Sequence, residues 1–192
     1  MTFTVVGIGG SLRVGSQSER ALRIALRGAA EAGARTLQIS GHDLLLPFYD
    51  PVTPRRTTAS RHLVEALRRA DGVVLVSPAY HGTVSGLVKN ALDYVEDLRN
   101  DARPYLEGRA VGCVAAAQGS QAAVNTLSTL RAIAHSLRAW PTPLGVSIDS
   151  TELKLPFEGS CPDVTLRSRL QLVGQQVVEF AQARRQAVSV RR

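Results

Sequence analysis

Five short runs of β-branched and small apolar residues, each followed by helical periodicity, constrain this chain more than any other feature. Residues 3–8 (FTVVGI) end at Gly9-Gly10, which reads as a strand running into a turn. Over residues 18–32 the apolar side chains Ala21, Leu22, Ala25, Leu26 and Ala29 recur at helical spacing, and Gly33 closes the helix. Residues 36–39 form a second short strand, followed by a loop of turn residues, GHDLLLPFYDPVTP. The helical pattern returns over 60–70, with Leu63, Ala66, Leu67 and Ala70 on one face. Residues 72–76 (GVVLV) are almost purely β-branched, which suits a central parallel strand covered on both faces. The spacing further predicts a helix over 85–98, a strand over 110–116 and a helix over 122–138. A fifth strand is expected over 144–148, and a last helix over 165–184 ahead of a frayed basic tail.

Strands alternating with helices predict an α/β fold with a five-stranded parallel sheet, and right-handed crossovers make it doubly wound. The 192 residues fit one domain, with a core over about 3–184 and no linker, repeat or low-complexity block. In such sheets ligands bind beyond the carboxyl ends of the strands. That rule singles out three loops, residues 9–18, 77–85 and 117–121.

The bulk numbers mainly exclude. The net charge is +7, nearly all of it arginine, since the only lysines are Lys89 and Lys154. The arginines are spread along the chain, never more than two adjacent, and no aromatics interleave with them. A nucleic-acid surface would cluster them, so none is expected. A diffuse positive field suits phosphorylated small molecules instead. The first residues lack the features of a signal peptide, and the uncharged stretch 110–130 is broken by polar residues, so no membrane span is expected. Two cysteines, Cys113 and Cys161, cannot form a disulfide framework, which makes the cytoplasm the expected compartment. Cys113 reads as a small buried hydrophobe, Cys161 as a loop thiol, and Trp140 as a core or interface residue. His42, His62, His81 and His135 show no paired metal-ligand spacing, so no metal is expected.

The first loop reads Gly9-Gly10-Ser11-Leu12-Arg13-Val14-Gly15-Ser16-Gln17-Ser18. Glycines between a strand and a helix N-terminus make a natural anion site. A dinucleotide fingerprint fails where Leu12 replaces its third glycine, and a Walker loop fails where Ser16 replaces its lysine. Three hydroxyls, Ser11, Ser16 and Ser18, remain, with Arg13 among them. Hydroxyls and a guanidinium suit a terminal phosphate monoester that needs no magnesium. The plainer reading is that Ser16 or Ser18 caps the helix.

The second loop, SPAYHGTVSGLVKNALDY from Ser77 to Tyr94, closely resembles the hallmark segment of the NADPH-dependent FMN reductases, the flavodoxin-like group that includes azobenzene and quinone reductases. GGSLRVGSQSERAL is similar to that family's phosphate loop, and DLLLPFYD resembles its loop after strand two. The resemblance covers about residues 3–150 and implies a flavodoxin-like fold of strand order 2-1-3-4-5 with one FMN per subunit. By position, Ser11, Arg13, Ser16 and Ser18 would hold the FMN phosphate. Pro78, Ala79, Tyr80, His81 and Gly82 would line the ring, and Gln118, Gly119 and Ser120 would contact its other edge. Ala117 and Gln118 depart from the more glycine-rich third loop of many relatives.

The resemblance also implies a cycle in which NADPH, or NADH, reduces the flavin, and a small acceptor such as free flavin, a quinone or an azo compound then takes the electrons. Because the flavin carries that chemistry, no side chain has to act as nucleophile or base. His81 is the one candidate for tuning the flavin or delivering a proton. A homodimer or homotetramer is expected, and a flavin-dependent monooxygenase is a conceivable receiver of reduced flavin. The alternative is a flavodoxin-like electron carrier that docks to protein partners, against which the positive charge counts.

Overall fold

The protein, described from a computed structural model, is traced over residues 2–156 and 163–190. Its strands are β1 (Thr4–Gly9), β2 (Arg35–Ser40), β3 (Gly72–Tyr80), β4 (Thr83–Val84), β5 (Ala110–Ala117), β6 (Trp140–Pro141) and β7 (Val146–Asp149). Its helices are α1 (Gln17–Glu31), α2 (Thr58–Arg69), α3 (Gly86–Asp93), α4 (Ser120–Ser136) and α5 (Val164–Val190). The main sheet is parallel in the order β2-β1-β3-β5-β6, with β7 also paired to β5 and β4 paired antiparallel to β3.

The expected order therefore holds with two corrections. The fifth place in the sheet is shared by two short pieces: β7 answers to the strand expected over 144–148, and β6 is an unexpected addition ahead of it, set apart by Pro143. An added hairpin strand, β4, extends from the end of β3. Two helix boundaries also change. The helix expected over 85–98 is α-helical only to Asp93, and residues Tyr94–Leu98 tighten into a 3-10 turn. The last helix, expected over 165–184, runs longer, as α5 continues to Val190.

Alternation along the strands sorts the core into two layers. On β3, Val73 and Leu75 face α2, α3 and α4 beside Val6, Ile8, Leu63, Leu67, Val88 and Leu130. Val74 and Val76 face α1 and α5 beside Val5, Leu22, Leu26, Val114, Leu170, Val173 and Val177. A strand buried on both faces has no polar side to show, which is why its sequence runs apolar without a break.

Helix α1 is specified at both ends. Ser16 caps its start, accepting from the Glu19 N–H at 3.2 Å. At its end Gly33 takes a φ of +91°, and the N–H groups of Ala34 and Gly33 donate to Ala29 O and Ala30 O at 3.0 and 2.9 Å. Two helices on the same face, α1 and α5, meet backbone to backbone. A Cβ on Gly28 would stand 2.1 Å from Gln171 O, and one on Gly174 would stand 2.0 Å from Ala25 O.

Arg109 is the largest buried polar side chain. Its guanidinium donates to the carbonyls of Ala70, Arg68 and Tyr105 at 3.0, 2.9 and 3.2 Å, so it ties the end of α2 to the start of β5. Burial pushes its pKa down to about 10.

Candidate functional site

Register explains where the cleft lies. Gly9, Val76 and Val114 stand side by side across β1, β3 and β5. Beyond that line β1 stops, while β3 continues to Tyr80 and β5 to Ala117. Gly9 is required there, since a Cβ would stand 2.0 Å from Val76 O, and the Gly10 N–H donates to that same carbonyl at 3.2 Å. The chain turns away over β1 and leaves a cleft of about 730 Å³ between residues 10–18 and the two longer strands.

The phosphate-like end is built from the first loop and α1. Ser11, Arg13, Ser16 and Ser18 all line the cleft. Ser11 and Ser18 are 8% and 1% exposed, so their hydroxyls are held rather than solvated. The Ser11 Oγ accepts from the Arg13 N–H at 3.3 Å, and the Ser16 and Ser18 Oγ atoms are 3.1 Å apart. Capping by Ser16 and a role in the cleft are thus compatible: its oxygen accepts from the Glu19 N–H, and of the Ser16 and Ser18 hydroxyls only one proton is taken by their mutual bond. The Gly15 N–H is already used, donating to Glu19 Oε2 at 2.9 Å.

The second wall is a hairpin rather than a loop. Ala79 pairs with Val84 and Tyr80 with Thr83, so His81 and Gly82 form the two-residue turn. Both have positive φ, +52° and +85°, as the hairpin turn of matching twist requires. Below the turn, Ser77 Oγ donates to Pro78 O at 2.8 Å and accepts from the Ser85 N–H at 3.0 Å, latching the hairpin to the start of α3. Pro78, Ala79, Tyr80, His81 and Gly82 all line the cleft, with Tyr80 53% exposed at its mouth.

The turn gives His81 a backbone role that can be separated from its imidazole. Asn tolerates positive φ, whereas a β-branched residue does not. His81→Asn is expected to bind FMN and be reduced within about twofold of wild type, and His81→Val to bind FMN at least several-fold more weakly. Flavin titration and stopped-flow reduction check this; a large loss of reduction rate in His81→Asn alone would assign the imidazole a chemical role.

The third wall comes from the end of β5. Ala116, Ala117 and Gln118 line the cleft, with Ala122 of α4 beside them. Gly119 and Ser120, expected at the ring, are not on this wall. The Gly119 N–H instead donates to Asp149 Oδ1 at 3.0 Å. The Thr151 hydroxyl and main-chain N–H bond the same oxygen at 2.6 and 2.9 Å, and these bonds, with smaller ones from Gly119 and Ser120, hold the Asp149 carboxyl below its ordinary pKa.

Four polar residues on the cleft were given no role by the sequence: Gln17 and Arg20 of α1, and Ser150 and Lys154 after β7. The first two stand inside the first-loop motif, at the first residue of α1 and in its first turn, and could have been found by projecting that motif onto the helix. The other two had no local signal. Elsewhere, Trp140 is 56% exposed on β6, stacked at 5.8 Å on Phe180, so it is not a core residue. Cys113 is buried, its pKa raised to about 12 by burial, and Cys161 lies outside the described residues. Among the described residues no group of three His, Cys, Asp or Glu side chains could hold a metal ion, and no helix is long and apolar enough to cross a membrane. The DLLLPFYD loop lies off the cleft. Asn90 pins it, accepting from the Tyr49 N–H at 2.9 Å and donating to Pro47 O at 3.0 Å. A second hollow of about 670 Å³ there has Phe48, Arg55 and Arg61 on its wall but none of the glycines or serines of the strand ends.

The cleft can thus take a flat molecule over the adjoining apolar ends of β3 and β5, with a phosphate tail among hydroxyls and cations at α1. The family described as NADPH-dependent FMN reductase matches residues 3–152. An NADPH azoreductase of Bacillus sp. (strain OY1-2) is 31% identical over 110 residues, 57% of this chain and 58% of that protein. An FMN-dependent NADPH-azoreductase of Staphylococcus haemolyticus is 28% identical over 178 residues, 80% of this chain and 91% of the relative. The fold is shared with the flavoenzyme NAD(P)H:(acceptor) oxidoreductase of Paracoccus denitrificans, with a TM-score of 0.78 over 95% of this chain and 99% of that one at 19% identity. With the matched stretch running from β1 to just beyond β7, through all three walls of the cleft, the chain belongs to the NADPH-dependent FMN reductase family.

Proposed function

We propose that this FMN-dependent NAD(P)H oxidoreductase hands its electrons to a small planar acceptor, a quinone, an azo compound or free flavin. The observation that carries the reading is the make-up of the cleft: Pro78, Ala79, Ala116 and Ala117 at the ends of β3 and β5, hydroxyls and cations at α1, and a mouth beside the half-exposed Tyr80. Its volume lies within the roughly 300–1,000 Å³ of small-molecule sites. FMN fits the residues present, because its phosphate matches the hydroxyls of Ser11, Ser16 and Ser18 and the guanidinium of Arg13. When bound, FMN supplies the hydride and electron chemistry.

The chain's own residues bind and orient. The first loop holds the phosphate; Pro78 to Gly82 lie along one side of the ring; Ala116, Ala117 and Gln118 lie along the other. The cleft lining includes no carboxylate among the described residues; Glu19 stands behind the first loop, with its Oε2 already accepting from the Gly15 N–H. The assembly we favour is a homodimer or homotetramer of one flavodoxin-like unit, working in the cytoplasm. The exposed Val14 and Tyr80 near the mouth give a second copy apolar surface to cover. A flavin-dependent monooxygenase that accepts reduced flavin is the macromolecular partner consistent with this chemistry.

The test is an absorption spectrum of the purified protein with FMN, followed without oxygen while NADPH and then NADH are added. The flavin band is expected to bleach within seconds with at least one donor and to return on adding a quinone, azo dye or free FMN. Binding without bleaching by either donor would turn the reading toward a carrier, and no binding at all would overturn it.

A further inference from the structure

We infer that Lys154 is a ligand of the flavin's phosphate, set in place by Gln17. The inference rests on the FMN reading above. Gln17, the first residue of α1, pairs reciprocally with the main chain of Leu155. The Leu155 N–H donates to Gln17 Oε1 at 2.6 Å, and Gln17 Nε2 donates to Leu155 O at 3.1 Å. Arg20, one turn along, donates to the same carbonyl. The Leu155 side chain is 1% exposed and packs into the layer between the sheet and α1. Residue 155 is therefore fixed beside the first turn of α1 from both its main chain and its side chain, across 138 residues of sequence.

Lys154 is its chain neighbour, about 3.8 Å away at Cα, and its side chain lines the same cleft as Arg13 and Ser16. That end of the cleft is the phosphate end, because the N-terminus of α1 presents its positive dipole there. Charge points the same way. A phosphate monoester carries about −1.5 to −2 at pH 7 and three acceptor oxygens. Arg13 supplies one positive charge, and Arg20 is engaged with Leu155. Lys154 supplies the next, as a compact ammonium with three donors. The chain's other lysine, Lys89, is paired with Asp93 at 2.6 Å on α3, whereas Lys154 has no carboxylate within ion-pair distance among the described residues.

The test uses apoprotein and two flavins, FMN and riboflavin, which share the ring and differ in the phosphate. Dissociation constants come from quenching of flavin fluorescence. Lys154→Ala is expected to raise the FMN constant about fivefold, the scale of one exposed charge pair, and to leave riboflavin within about twofold. Lys154→Arg is expected to recover most of the loss. Gln17→Ala should weaken FMN similarly, and the Gln17→Ala/Lys154→Ala pair should be little weaker than the stronger single variant. Wild-type FMN affinity in Lys154→Ala, or equal loss for both flavins, would overturn the phosphate contact. Full additivity in the pair would overturn the positioning role of Gln17. Failure of the wild-type protein to bind either flavin would instead fell the FMN reading itself.

Discussion

Gly174→Ala is expected to destabilise the protein by about 3 kcal/mol and to lower Tm by roughly 10 °C, although alanine is the better helix former by about 1 kcal/mol. The new methyl would stand 2.0 Å from Ala25 O and 2.7 Å from Ala29 N, both backbone atoms of α1 that no rotamer change can move. The helices would have to separate, opening a contact that Gly28 makes equally close from the other side. Gly86→Ala is the matched control: it starts α3, nothing lies within 4 Å of its Cβ position, and its stability is expected to change by less than about 0.5 kcal/mol. Thermal unfolding of the two variants checks this. Equal Tm values would mean that α1 and α5 do not meet as described.

Arg13→Ala is expected to raise the dissociation constant for FMN about tenfold, with riboflavin affected no more than about twofold. Arg55→Ala should leave both within about twofold, because Arg55 lies in the loop after β2 and lines the other hollow. The two arginines are equally charged and close in the long-range field, so only placement separates them. Identical FMN affinities in the two variants would show that the first loop does not hold the phosphate.

What could be read from sequence followed from how local the cause was. The strands showed because β-branched runs such as GVVLV need only their own side chains to reveal burial on both faces. The cap, narrowed to Ser16 or Ser18 and found at Ser16, and the closing Gly33 showed because capping is decided within one helical turn. The first two walls of the cleft were legible for the same reason, each being one unbroken stretch around a strand end. The hairpin at His81-Gly82 was missed, since histidine is an uncommon choice at positive φ and the segment read as an exit loop. The extra piece β6 was missed, since two residues, one itself a proline, carry no strand pattern of their own.

Other features depended on partners far along the chain. Nothing near Lys154 marks it as part of a site, because its place is set by Gln17 and Leu155 acting across the molecule. Asp149 could not be linked to Gly119 by any spacing, yet its carboxylate takes up the Gly119 N–H. Nothing in the sequence singled out Gly28 or Gly174. Only the packed pair shows that each is small because the other backbone is there.

The broken last place in the sheet has a consequence outside catalysis. A continuous outer strand offers a row of unpaired N–H and C=O groups on which another chain could lay itself down. Here that border consists of two residues, Trp140–Pro141, and four, Val146–Asp149, with prolines at 141 and 143 that have no N–H to give. An incoming strand would find no run long enough to template on. The same prolines that interrupt the sheet therefore guard this flank against aggregation, during folding as well as after it.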